Sequence, residues 1–280
     1  MSSEAMSLKG RLKNLAKQKS VSAQILLQNY MFERLLERLS KSSYKDKFIL
    51  KGGMLVAALV GIDNRSTMDI DATVRAFRLN EENLEKALEE ICAVPLNDGV
   101  EIRILKTAPI RKDDAYGGLR VSLEAVFDTI KTPFTIDVTT GDVITPKAVW
   151  YKFRGLMDET VEFEVLAYNI ETVFAEKFET ILRRGPLSTR PRDFYDVYIL
   201  FQTQRYNPAT FCEAFWATAA HRNSTSLLQN IPETLDAICD SAELQSMWLR
   251  YRKEYAYAAD IEYSGIMEVL EKLMEQVTAG

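Results

Sequence analysis

Histidine is nearly absent from this sequence: there is one, His221, in 280 residues. A lone imidazole near the end of a helical stretch, with no evident partner, reads as structural rather than catalytic. Cysteine is almost as scarce. Cys92, Cys212 and Cys239 stand far apart without a CxxC pair, which excludes a disulfide framework and a cysteine metal module and points to reduced thiols in a cytoplasmic protein. No apolar run reaches the roughly eighteen residues of a membrane span, and nothing near the start resembles a signal peptide. Positive charge is not in excess either. A net charge of −5 excludes wholesale coating of nucleic acid but leaves room for a local basic patch.

What is present is ordinary for a globular chain with one large or two modest domains. Lys9, Arg11, Lys13, Lys17 and Lys19 read as the solvated side of a first helix, with an RNA-phosphate contact as the sharper alternative. Ser22 caps a helix to about Ser42, with Ile25, Leu26, Tyr30, Leu35, Leu36 and Leu39 at helical spacing. Phe48-Ile49-Leu50 reads as a strand that stops at Lys51-Gly52-Gly53, and Met54 to Val60 as a buried helix ended by Gly61. Alternation from Ser66 to Val74 predicts a strand with one polar face. Asn80 caps a helix over 81–92, and three strands follow at 100–106, 119–127 and 134–139. The stretch from Pro146 to Asp158 reads as a connector to a last strand at 161–166. Helical patterns then dominate. The expectation is an α+β chain with a sheet domain over 1–166 and a helical domain over 167–280.

Asp69 and Asp71 carry the strongest chemical signal. At i and i+2 on a strand their side chains share a face, and two adjacent carboxylates repel unless a cation lies between them. Hard, oxygen-seeking Mg²⁺ suits that position, above all when it also binds substrate phosphates. Alone, a DxD pair is equally a polar strand edge. Here it follows a glycine turn at a helix start, where backbone N–H groups can approach a phosphate closely.

The segments Phe48-Ile49-Leu50-Lys51-Gly52-Gly53-Met54-Leu55 and Arg65-Ser66-Thr67-Met68-Asp69-Ile70-Asp71 resemble the nucleotidyltransferases of the AbiEii/AbiGii toxin family. So, in the same order, do Ala175-Glu176-Lys177-Phe178 and Arg192-Asp193-Phe194-Tyr195-Asp196-Val197-Tyr198. This family is a branch of the polymerase-β-like superfamily. The resemblance implies a nucleotidyltransferase sheet domain, a helical domain closing the nucleotide cleft, two Mg²⁺ ions and a nucleoside triphosphate substrate. It further implies a toxin of a type IV toxin–antitoxin pair, with an antitoxin partner and an RNA acceptor such as tRNA. Asp69 and Asp71 would hold metal together with a third carboxylate from a neighbouring strand. Asp137 has the right setting, with Asp142 and Glu124 as alternatives. Lys51, Gly52, Gly53, Arg65 and Thr67 would line the nucleotide site. Lys177 would contact the triphosphate, with Asp193 and Asp196 orienting it or touching base or sugar. An ordinary interhelix ion pair is the competing reading for those three.

Arg183, Arg184, Arg190 and Arg192 fall within ten residues around a Gly/Pro loop, suited to phosphate or to nothing but solvent. Two rivals to transfer onto RNA remain. One is a catalytically inactive nucleotide- or partner-binding protein of the same fold, and the other is transfer to a protein or small-molecule hydroxyl.

Overall fold

The computed structural model describes residues 2–110 and 117–279. They fall into two compact units, one of Met1–Asp142 and Ala148–Ala167, the other of Val143–Lys147 and Tyr168–Gly280. Among the described residues no helix is long and apolar enough to cross a membrane.

The first unit is α1 (Ser3–Lys19), α2 (Ala23–Lys41), β1 (Phe48–Lys51), α3 (Gly52–Val60), β2 (Asp69–Val74), α4 (Glu81–Cys92), β3 (Val100–Pro109), β4 (Leu119–Phe127), β5 (Ile130–Thr140), β6 (Val149–Arg154) and β7 (Glu162–Ala167). The strands form one mixed sheet in the order β3-β4-β5-β2-β1-β7-β6. β2 pairs with β5, and β1 with β7, in parallel; the other neighbours are antiparallel. Side-chain caps start the helices where the sequence predicts. Ser22 Oγ accepts from Ile25 N–H and the Asn80 side chain from Asn83 N–H. Period-two alternation buries Val121, Leu123 and Ala125 of β4 with Phe134, Ile136 and Val138 of β5. α2 covers that face, with Phe32 edge-on to Phe134 at 5.4 Å. The basic residues of α1 point outward, while Ala5, Leu8 and Leu12 pack with Leu26 and Ile130.

Two departures from the sequence reading have physical reasons. β6 occupies part of what reads as a connector: Val149–Arg154 pairs with β7 as an edge strand. Val149 and Trp150 stay exposed there, so the apolar alternation that marks a half-buried strand is missing. β2 starts at Asp69, not Ser66. Residues 66–68 are irregular, with Ser66 and Thr67 buried and Met68 exposed, and side chains of α2 hold two of their carbonyls: Gln28 Nε2 donates to Met68 O at 2.8 Å and Asn29 Nδ2 to Thr67 O at 3.3 Å.

Glu33 on α2 is a buried carboxyl whose two oxygens accept from Leu156 N–H, each at 2.9 Å. Burial pushes its pKa up to about 7 from an ordinary 4.5, against the pull of that N–H and of Arg34. The folded state therefore holds the proton more tightly than the unfolded chain does. Its stabilising effect is complete below about pH 4.5 and is lost as pH rises to about 7. The loss is on the order of 3 kcal/mol. Glu33→Gln should remove this slope. Denaturant melts of both proteins from pH 4.5 to 8 should show the variant gaining on the wild type with rising pH.

The second unit is helical: α5 (Ile170–Arg184), α6 (Pro191–Thr203), α7 (Pro208–His221), α8 (Ile231–Asp240), α9 (Ala242–Glu254) and α10 (Tyr263–Thr278). Asn169 explains why 143–147 belong to it. The Asn169 side chain caps α5 through Thr172 N–H, and its amide donates to Thr145 O and Lys147 O. The core is aromatic, with Phe174, Phe178, Phe211 and Phe215 packed edge-on or tilted between α5 and α7.

Candidate functional site

Strand register assembles the first unit's polar face. Lys51 of β1 lies opposite Asp71 of β2, Asp71 opposite Asp137 of β5, and Asp137 opposite Arg120 of β4. Four charged side chains thus cross four adjacent strands in one row, positive at both ends and negative in the middle. One pleat along, Asp69 lies opposite Thr135, whose Oγ1 donates to Asp69 Oδ1 at 3.3 Å.

The two central carboxylates repel each other. Asp71 is pushed above the usual carboxylate range by burial and then by the charge of Asp137, with a smaller push from Asp69. Lys51 and the Gly53 N–H, 3.3 Å from Asp71 Oδ2, offset part of this. At the ends of the row the charges are paired. Arg120 grips Asp137 with two hydrogen bonds of 2.7 and 2.6 Å. Lys51 Nζ reaches Asp142 Oδ2 at 2.5 Å, where Thr139 Oγ1 also donates at 2.7 Å. Burial raises Asp142, but Lys51 and the neighbouring hydroxyls outweigh it and hold the carboxyl below its ordinary range. Asp142 therefore anchors Lys51.

The glycine turn is fitted to this row. Gly52 adopts φ +63°, and a Cβ there would lie 2.6 Å from Asp71 Cγ. α3 begins at this turn with no side-chain cap, so its first N–H groups depend on other acceptors. A Cβ on Gly53 would meet Thr67 Oγ1 at 2.8 Å and Arg65 Nη2 at 3.2 Å. Arg65 and Thr67 are buried, with Arg65 Nη1 donating to Ser66 O, so both underlie the turn and shape it from below. Gly52→Ala should cost about 1–2 kcal/mol for the left-handed backbone alone. It should also displace Asp71 from the row. Thermal melts of the variant beside the wild type test that cost.

The donors available for a divalent cation are carboxylate oxygens on adjacent strands, in a site short of positive charge, and that chemistry fits Mg²⁺. Among the described residues, no three such side chains stand together as a ready-made metal cluster. Asp137 is held by Arg120 instead. Arg120 has no counterpart in the sequence reading, because its place opposite Asp137 follows from the β4–β5 register and not from any motif.

In the second unit, Lys177 of α5 reaches Asp193 Oδ1 at 3.0 Å and Asp196 Oδ2 at 2.7 Å, both on α6. Asp196 is fully buried and Asp193 nearly so. Arg190 Nε approaches Asp193 Oδ2 to 2.8 Å. The interhelix ion pair exists, then, as a four-membered cluster of two buried aspartates, the half-buried Lys177 and the exposed Arg190. The expected arginine loop is shorter than the sequence implies. Arg183 and Arg184 close α5 and Arg192 lies in the first turn of α6. Arg183 pairs with Glu179 at 2.9 Å, and Arg192 donates to Tyr255 OH at 3.1 Å while lying over its ring.

Residues 34–272 match the model of the family described as nucleotidyl transferase AbiEii toxin, type IV TA system. No curated protein sequence matches the chain. A putative nucleotidyltransferase from H. pylori is similar in structure, with a TM-score of 0.52 at 17% identity over 92% of this chain and 95% of that one. JHP933 from Helicobacter pylori has a TM-score of 0.51 at 16% identity over 92% of each chain. At those identities the likeness shows the nucleotidyltransferase-like fold. The family match covers most of the sequence, both glycines, all three strand aspartates and Lys177, and by it this chain belongs to the AbiEii family of nucleotidyltransferase toxins of type IV toxin–antitoxin systems.

Proposed function

We propose that the chain transfers a nucleoside monophosphate from a nucleoside triphosphate to a hydroxyl of RNA, with tRNA as the acceptor class and an antitoxin as its partner. The observation that supports transfer most is the in-register pair Asp71 and Asp137 beside the Gly52-Gly53 turn. In the reaction the acceptor oxygen bonds to the α-phosphorus as the bond to the bridging oxygen breaks, and pyrophosphate leaves. Asp69 and Asp71 would hold Mg²⁺, joined by Asp137 once Arg120 releases it. The metal, when bound, supplies positive charge for the phosphates and makes the acceptor hydroxyl easier to deprotonate. The first amides of α3 bind phosphate oxygens. Lys51, steadied by Asp142, offsets negative charge beside Asp71. Lys177 is assigned to the triphosphate, with Asp193 and Asp196 fixing its direction.

Incubation with each α-labelled nucleoside triphosphate, Mg²⁺ and total cellular RNA tests the reading, and label is expected in tRNA. Label on protein or on a small molecule would reassign the acceptor. A second reading, nucleotide binding without transfer, draws on Arg120's two-pronged hold on Asp137. It predicts saturable nucleotide binding and no label in any acceptor.

A further inference from the structure

A second concave site lies in the first unit, behind α3, at the end of that helix remote from the glycine turn. Its volume is about 440 Å³. Two buried acceptors line it, both from α2. Glu33 is 7% exposed and receives one backbone N–H, that of Leu156, shared by its two oxygens. A carboxylate has room for about four such bonds, and Arg34 stands off at 3.9 Å. Asn29 is 4% exposed, and both protons of its amide are spent, on Ile25 O at 2.9 Å and Thr67 O at 3.3 Å. The walls are aromatic and aliphatic. Tyr151 and Phe153 stand edge to face at 4.9 Å, and Tyr151 is fixed by its hydroxyl bond to Ala58 O at 2.6 Å.

A buried carboxylate with spare acceptor capacity, set between ring faces, recognises one kind of ligand. The acceptors call for N–H donors, Glu33 favours positive charge, and aromatic walls attract cations. The basic residues around the mouth do not oppose this. Lys19 pairs with Asp63, and Lys152 and Arg154 with Glu162, while Glu159 adds a negative charge to the lining. We propose that this cavity is a binding site for a small organic cation, a guanidinium or primary ammonium on a short apolar stem. Burial raises the Glu33 carboxyl to about 7, although the Leu156 N–H and Arg34 at 3.9 Å pull it down. Through Asn29 the occupant touches the segment that delivers Asp69, since the same amide holds Thr67 O.

The test is calorimetric titration of the full chain with n-butylguanidinium and, separately, with n-butyrate as an anion of similar size. Saturable binding of the cation and none of the anion is expected. Glu33→Gln should weaken cation binding at least about tenfold and Glu159→Gln by less, whereas Asn29→Asp should tighten it. Glu159→Gln changes a more exposed residue and remains decisive if the buried variants do not fold. A blocked tripeptide carrying one arginine separates the sources. Tighter binding of the peptide points to a protein side chain, and tighter binding of the free cation to a small molecule. The proposal falls if butyrate binds as well as the cation, if folded Glu33→Gln and Glu159→Gln retain wild-type affinity, or if no saturation occurs at tens of millimolar.

Discussion

Asp71→Asn should abolish nucleotide transfer while leaving the metal-free protein at least as stable as the wild type. The two effects come from one cause. Asp71 is raised by burial and by the Asp137 and Asp69 charges, so its ionised form is unfavourable in the fold without a cation. Asparagine keeps the shape and removes the repulsion. It also removes one of the charges that would hold Mg²⁺ against the triphosphate. Losing several kcal/mol of charge stabilisation in the transition state amounts to a fall of roughly 1,000-fold or more in turnover. The sign of the stability change can be worked out for pH as well. A carboxyl raised in the fold contributes stability at low pH that is lost as pH rises through its folded pKa. The advantage of Asp71→Asn over wild type should therefore grow toward neutral pH. Melting temperatures with and without Mg²⁺, read beside turnover, test this. A variant that melts well below wild type without metal, or that turns over normally, contradicts the assignment.

Lys177→Ala should destabilise the helical unit heavily, by about 3–5 kcal/mol, because it strands the buried Asp193 and Asp196 carboxylates. A loss of activity in that variant alone would say nothing about substrate. Pairing Lys177→Met with Asp196→Asn removes a charge of each sign and should recover a large part of the stability. If Lys177 contacts the triphosphate, the double variant stays inactive although folded, and its apparent affinity for nucleotide falls. If the lysine only balances the aspartates, activity returns with the fold. Unfolding in denaturant and nucleotide titration of Lys177→Met, Asp196→Asn and the double variant separate these outcomes.

Much of the site was legible because its residue spacing maps simply onto strand geometry. Asp69 and Asp71 share a face by period two alone, and the glycines announce a turn. Arg65 and Thr67 sit inside the same family-like segment, yet they lie under the turn, and burial of that kind has no signature in a motif. The arginine cluster illustrates the opposite failure. Four cations in ten residues look like one surface, but helix ends and ion pairs with Glu179 and Asp193 divide them.

The sequence by itself determined the α+β order of elements apart from β6, the helix caps at Ser22 and Asn80, and the polar face of β2. Each depends on residues within a few positions of one another. Tertiary structure alone decided that Asp137, and not Asp142 or Glu124, stands opposite Asp71, that Arg120 closes the row, and that Lys51 is anchored by Asp142. These are pairings between strands far apart in the chain, and a shift of one residue in register would turn each side chain to the other face of the sheet. Register is set by how both faces of the whole sheet pack, which no local pattern records.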